Sequence, residues 1–442
     1  MPPTDSISEP RPADSAAPSE GSRASRARLA FAGSVGAMVV LTSLASATNY
    51  ASNLVFSRVL NPVGFGELTS LLALAVILAL PTGAAQTVIA ERVAHYRALG
   101  RKDIVEYLLR HALAHVAVIA AAVSVLYVAA IPLVVDVLDL QHPGPAIALA
   151  PLVTLMFLQP VALGGVQGLD RFVAYGIMVL AIAVSRIAFG LPWAWAGGGA
   201  GGAIGGQAIG QLVVLVGALW VMRRHFRRRG SGAARAGLRR RLDARALTAS
   251  AAFIAFAVIS NLDVVLARLF LSPHDAGIYA AVATVGKVVT FLPAAIAIAM
   301  VPSAARARHS EGDSSRILRL SALVVTGTAL AAAIPAALAP GLVVDVMFGS
   351  DYRTAEAGVL PIVAAGAGFA MVNLLVVYAV AIRDQKWAWL LVLGVAAQVV
   401  GITLFHDTPA QVACVQAVVA AMILAVNEYW FHSIVRRRPQ AA

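Results

Sequence analysis

Arg223–Arg245, RRHFRRRGSGAARAGLRRRLDAR, carries ten arginines and is the longest polar interruption of the chain. On both sides of it the sequence is apolar: of 442 residues, 60% are hydrophobic and 13% charged, and the mean hydropathy is +0.81. Soluble domains carry about 25% charged residues, so a chain with half that fraction does not cover a water-facing surface of this size. Its solvent is lipid. The net charge of +12, with a pI near 10.5, would suggest nucleic acid in a soluble protein. In a membrane protein it poses a question of sidedness instead, and no nucleic-acid partner is expected.

Twelve apolar runs flank the basic stretch, six before it and six after, each near the ~20 residues a helix needs to cross the hydrocarbon core. They cover 29–57, 67–90, 111–133, 147–169, 173–195, 202–222, 246–271, 277–301, 318–343, 358–382, 387–405 and 410–431. Residues 1–28, rich in Pro, Ser and Ala, read as a disordered cytoplasmic tail, and 432–442 as a second cytoplasmic tail. The run after Arg28 is too long for a signal-peptide core. The chain thus divides into a six-helix lobe at 29–222, a basic cytoplasmic linker at 223–245 and a second six-helix lobe at 246–431. With the N-terminus inside, 29 of the 34 Lys and Arg residues fall on the cytoplasmic side. Arg58, Arg268 and Arg353 fall outside, and Arg186 and Lys287 lie within spans. That distribution satisfies the positive-inside rule. The expectation is an all-α, multi-pass protein of the cell (inner or plasma) membrane with both termini cytoplasmic. Pro81, Pro160, Pro293 and Pro335 interrupt spans, which is tolerated where the freed carbonyls face protein or water.

The two lobes resemble each other. NLVFSRVLNPVGFGEL around Arg58 aligns with DVVLARLFLSPHDAGIYA around Arg268, pairing Asn53 with Asp263, Arg58 with Arg268, Pro62 with Pro273, Gly66 with Gly277 and Pro81 with Pro293. Because each lobe has an even number of spans, the halves would be related by a pseudo-two-fold axis along the membrane normal, with a ligand site between them. SRVLNPVGFGELTSLLALA, NLDVVLARLFLSPHDAGIYAAVATVGK and QGLDRF at 167–172 resemble signatures of the polysaccharide transporter family in the MOP flippase superfamily. The resemblance implies a two-lobed flippase without enzymatic activity. Such a protein moves a polyprenyl-pyrophosphate-linked oligosaccharide from the inner to the outer leaflet by alternating access, for cell-surface polysaccharide biosynthesis. Its partners would be the lipid-linked oligosaccharide and membrane lipids.

A charge near the bilayer centre costs at least ~2.5–3.5 kcal/mol and asks for a partner or a function. Arg186 lies about 14 Å from the outer end of the fifth span and Lys287 about 15 Å from that of the eighth, at 1.5 Å per residue. One cation per half at similar depth would line a cavity and match a diphosphate. Asp263, in the seventh span, reads either as a neutralising partner of Lys287 or as a protonatable coupling group for proton or sodium. A cation-lined cavity equally suits use of the membrane potential. Arg58 and Arg268, at the outer ends of the first and seventh helices, read as snorkelling side chains or as a pair guarding the outward mouth. Asn49 and Asn53, one turn apart, read as interhelical hydrogen-bonding groups or sugar contacts. Gln86, Gln159, Gln167, Gln207, Gln211 and Gln398 are open to the same two readings. Glu67 is expected at the head of the second helix, facing its dipole.

Other patterns carry less. Gly197, Gly199 and Gly202 satisfy G-x-G-x-x-G but stand in an outer turn with no βαβ unit. Gly202, Gly206 and Gly210 read as a close-packing stripe. His111 and His115 have Ala112 where a metallohydrolase helix needs its acid, so no metal is expected, nor any other cofactor. Asp136 and Asp139 read as a solvated turn. Cys414, the single cysteine, reads as a small buried hydrophobe, with no disulfide possible. Two other functions compete with the flippase. A multidrug extruder of the same fold should place carboxylates in its cavity. A polytopic polysaccharide ligase or polymerase needs a sizeable outer loop, and the longest, at 134–146, is short.

Overall fold

The computed structural model describes residues 20–226, 244–306, 313–382 and 386–431, and every regular element among them is helical. The first lobe holds α1 (Glu20–Val59), α2 (Pro62–Ala98), α3 (Lys102–Val137), α4 (Gly144–Gly168), α5 (Phe172–Ser185) and α6 (Gly199–Met222). The second holds α7 (Ala244–Ile259), α8 (Leu262–Phe270), α9 (Pro273–Arg306), α10 (Asp313–Leu338), α11 (Pro340–Met347), α12 (Glu356–Ile382), α13 (Lys386–Leu404) and α14 (Pro409–Phe431). The expected tail up to residue 19, the linker from 227 to 243 and the tail at 432–442 lie outside the described residues.

Local chemistry explains the boundaries. α2 opens on Pro62, whose φ is preset for the first helical position, and the Asn61 side chain accepts from Gly64 N–H at 2.8 Å. α9 opens in the same way on Pro273. Its cap is Ser272, which accepts from Asp275 N–H at 3.2 Å and donates to the Asp275 carboxylate at 2.7 Å. Both caps satisfy donors that helix starts leave open. The paired motifs of the two lobes therefore build equivalent helix starts.

Eight helical runs among the described residues are long and apolar enough to cross a membrane. The number is nine when Ala322–Leu338 and Pro340–Met347, bent by 102°, are joined. The ninth span, expected over 318–343 with an interruption at Pro335, instead runs through Pro335 and breaks at Ala339, where Pro340 opens a new helix. The seventh span is also broken, between α7 and α8. The 54-residue run Phe172–His225 is a hairpin. It extends α5 through π-helical turns at Arg186–Gly190 and Ala194–Gly198, then reverses at Gly197 and Gly199, with φ of 97° and 52°. Ser185 meets Gly210, Gly190 meets Gly206, and Trp193 meets Gly202, an antiparallel register in which the expected glycine stripe gives α5 its close approach to α6. α1 starts at Glu20, nine residues before the expected span.

The same helix pairs pack in each lobe. In the first lobe these are α2 on α4, α4 on α6, α3 on α4, and α1 on α5. In the second they are α9 on α12, α12 on α14, α10 on α12, and α7 on α13. Between lobes, α2 lies against α8 and α9, and α1 touches α9. Gly66 and Gly277, paired by the repeat, face each other across this contact. A Cβ on Gly66 would stand 3.0 Å from the Gly277 Cα, and one on Gly277 would run into the Pro62 carbonyl. Cys414 is exposed on α14 rather than buried, because the apolar run around it presents one face to lipid.

Candidate functional site

Asn49 and Asn53 stand one turn apart on α1, and Arg186 lies opposite them at the point where α5 passes into its first π-helical turn. Arg186 Nη1 donates to Asn49 Oδ1 and Nη2 to Asn53 Oδ1, each at 3.2 Å. Each asparagine thus gives its side-chain oxygen to the one guanidinium. Arg186 Nε is buried with no partner, and among the described residues the side chain makes no ion pair. A guanidinium has five N–H donors, so three remain after the asparagines. The charge is positioned and left uncompensated. π-Helical turns recur at functional positions because the widened turn re-aims one side chain.

In the other lobe, the backbone carbonyl of Lys287 accepts from Tyr50 Oη of α1 at 3.3 Å, while the ammonium turns into its own lobe. Its Nζ donates to Asn261 Oδ1 at 3.2 Å. The expected direct pair with Asp263 does not form within 4 Å. Instead, Tyr279 Oη donates to Asp263 Oδ2 at 2.8 Å, and Asp263 Oδ1 has no partner. Asp263 and Lys287 line one cavity of about 30 Å³ with Ser260, Thr290 and Gln416. Asn261, at the break between α7 and α8, and Tyr279 were missed in the sequence. Asn261 is the N-cap residue of α8, and asparagine just before a helical run is a signal that could have marked it.

Arg268 and Arg58 take a different role from the inner cations. Arg268 is buried, at 2% exposure, and does not snorkel. Its Nε donates to the Leu138 carbonyl and its Nη2 to that of Asp139, both at 2.6 Å, while Nη1 donates to Pro273 at 3.2 Å. Asp139 adopts a φ of 45°, a left-handed turn that aspartate tolerates. Glu67 lies within the second turn of α2, since that helix starts at Pro62, so it is not a helix-head charge. It accepts Gln141 N–H at 2.8 Å and stands 3.8 Å from Arg268. Arg58 donates to the Val346 carbonyl, and Tyr352 Oη donates to that of Ser57 at 3.0 Å. These groups and Tyr50 each make hydrogen bonds between the lobes. Arg58, Arg268 and Tyr352 therefore form a clasp between the lobes at the end opposite the basic linker. A larger cavity, about 990 Å³, lies in the first lobe beside Pro145, Ile147, Trp193 and Leu212 and holds none of the predicted site residues.

His111 and His115 stack in a row with Tyr107 on an exposed face of α3. Among the glutamines, Gln86 donates to Tyr175 Oη at 3.2 Å and Gln398 to the Ile259 carbonyl at 3.1 Å, which are interhelical bonds. Gln159 and Gln211 are buried and incompletely partnered.

Solved structures share this architecture. One described as the inward-facing conformation of a multidrug resistance MATE family transporter of the MOP superfamily superposes with a TM-score of 0.68 at 12% identity, covering 90% of this chain and 98% of that one. The lipid II flippase MurJ, in an inward closed conformation, gives 0.67 at 9% identity, covering 89% and 88%. A MOP superfamily transporter from Pyrococcus furiosus, described as having a binding pocket of reverse polarity, gives 0.60 at 13% identity, covering 91% and 96%. At these identities the likeness is one of fold. No curated protein matches by sequence. Residues 34–308 match the family described as polysaccharide biosynthesis protein, so the chain, a multi-pass membrane protein with the fold of MOP superfamily transporters, belongs to that family.

Proposed function

We propose that this protein is a flippase and not an enzyme. It carries a polyprenyl-pyrophosphate-linked oligosaccharide from the cytoplasmic to the outer leaflet of the cell membrane by alternating access. The observation that carries this reading is Arg186: a membrane-embedded guanidinium steadied by two neutral amides, with three N–H groups unspent and no carboxylate paired with it among the described residues. Such a group suits an anion with several acceptor oxygens, because guanidinium and phosphate form parallel charge-assisted bonds. Lys287 is the partly buried cation of the second lobe, its Nζ held by Asn261, and would offer a point charge from that side. An organic-cation extruder would want carboxylates there, and Asp263 is engaged by Tyr279. Twelve crossings with both termini cytoplasmic, and lobes related by a pseudo-two-fold, agree with the repeated packing pairs and the Gly66–Gly277 contact. With the lobes clasped at the outer end, this state would be open toward the cytoplasm. Asp263, with one free carboxylate oxygen, is the coupling group for proton or sodium.

The test is in cells deleted for the gene. Wild-type protein should restore passage of lipid-linked oligosaccharide to the outer leaflet with polymerisation untouched. Arg186→Gln should leave the intermediate on the inner leaflet. An unchanged lipid-linked pool together with altered drug sensitivity would instead indicate an extruder.

A further inference from the structure

Asp263 and Lys287 line one cavity of about 30 Å³ enclosed by α7, α8, α9, α12 and α14. The carboxylate is only half satisfied. Its Oδ2 accepts from Tyr279 Oη at 2.8 Å, whereas Oδ1 has no partner and is sealed from water, in a residue that is 6% exposed. An unmet buried carboxylate oxygen costs stability, so its retention asks for a function. Gln416, 2% exposed, lines the same cavity with its Nε2 unpartnered. The hydroxyls there are committed: Ser260 Oγ donates to the Phe256 carbonyl at 2.8 Å, and Thr290 Oγ1 to that of Gly286 at 2.9 Å. Of the helices packed on α8, α9 brings Tyr279 and Lys287, and α2 brings Glu67, which is engaged by Gln141 and stands 3.8 Å from Arg268. Among the described residues, α7, α12, α13 and α14 bring no charged side chain to the cavity wall.

We propose that the coupling ion of this site is a proton and not sodium, the Lys287 ammonium standing where a metal cation would stand. The inference rests on the coupling role given to Asp263 and names its ion. A hard cation such as sodium needs a shell of several oxygens. A cavity with room for about one or two waters gives no space for a hydrated ion and no access to Oδ1. The ammonium already balances the carboxylate across the cavity, and away from water a second cation would meet its repulsion. A proton needs no space. It adds to Oδ1 to give the neutral acid, while Oδ2 keeps its bond from Tyr279, so the O–H bond is the only covalent bond made and no observed hydrogen bond breaks. Water supplies the proton and takes it back. The Gln416 carboxamide suits both forms, since an amide can donate to a carboxylate or accept from an acid. With Asp263 ionised the cavity holds a neutral pair; with Asp263 protonated it holds the single charge of Lys287.

The test uses full-length protein in lipid nanodiscs, melted under tryptophan fluorescence in sodium chloride against choline chloride at equal ionic strength, and followed by infrared difference spectroscopy as the pH is lowered. In the wild type, sodium should leave the melting temperature where choline does, and acidification should bring up a carboxylic-acid band that Asp263→Asn lacks. Should Asp263→Asn not fold, Asp263→Asn/Lys287→Met, which carries neither charge, takes its place. Lys287→Ala vacates both the space and the charge, so it should gain a saturable stabilisation by sodium that Asp263→Asn/Lys287→Ala does not show. A saturable sodium shift in the wild type that is lost with Asp263 overturns the proposal in favour of a sodium site. Indifference of folded Lys287→Ala to sodium overturns the place given to the ammonium. Absence of an Asp263-dependent acid band overturns the proton, and if sodium is without effect as well, the coupling role of Asp263 falls with it. The flippase reading falls separately, if wild-type protein in the deleted cells restores no passage of lipid-linked oligosaccharide.

Discussion

Replacing Arg268 with alanine should open the outer face. Two of its hydrogen bonds, to the Leu138 and Asp139 carbonyls at 2.6 Å, run from the second lobe to the first, whereas the third, to Pro273, stays within its own lobe. Hydrogen bonds from a charged donor are worth about 1.5–3 kcal/mol each. At the low end, the two bridging bonds favour the closed state by about 3 kcal/mol, and at 1.4 kcal/mol per decade that is about a hundredfold in the closed-to-open ratio. Arg268→Lys, with one ammonium for a forked guanidinium, should forfeit about half of this, close to tenfold. The reporter is Ser57→Cys in a Cys414→Ser background. Ser57 is buried, its carbonyl is held by Tyr352, and cysteine is close in size to serine. A membrane-impermeant maleimide added from outside should label it faster in proportion to the open population. Ser185→Cys, buried between α5 and α6 within one lobe, should stay unlabelled and so separates gating from unfolding. If Arg268→Ala labels Ser57→Cys no faster than the parent, the clasp is not a gate.

Other perturbations test the inner site and the interface. Asn53→Asp puts a carboxylate against Arg186, so the melting temperature should rise while pyrophosphate affinity falls about tenfold or more; equal affinity would mean that Arg186 does not meet the anion. Gly277→Ala drives a methyl into the Pro62 carbonyl and should destabilise by about 1–3 kcal/mol, with Gly66→Ala milder, as read by thermal unfolding. Lys287→Ala and Asp263→Asn should each stop transport. Recovery of wild-type transport in the double variant would reduce both to mutual neutralisation.

Much of the architecture was legible because lipid allows few solutions. Every backbone polar group must be met within the segment, so long apolar runs become helices, and the paired motifs at Asn61–Pro62 and Ser272–Pro273 cap equivalent ones. The glycine stripe at 202–210 was likewise readable, since small residues four apart mark close packing. Breaks inside spans were less so. Pro335 lies inside α10 while Pro340 opens a new helix, so whether the chain continues through a proline or turns by 102° depends on what packs beside it.

Side-chain partnership was the least legible. Arg186 and its two asparagines are separated by more than 130 residues, and no local pattern joins them. Arg268 looked like a rim charge because its position along the helix sets depth alone; that it turns inward to two carbonyls follows from the left-handed turn at Asp139, brought there by α3 and α4. Composition and periodicity determine solvent, helicity and the number of apolar runs, because those are properties of one segment at a time. Which amide meets which cation, and which glutamines are buried without a partner, are properties of pairs of segments. Only packing the lobes together determines them.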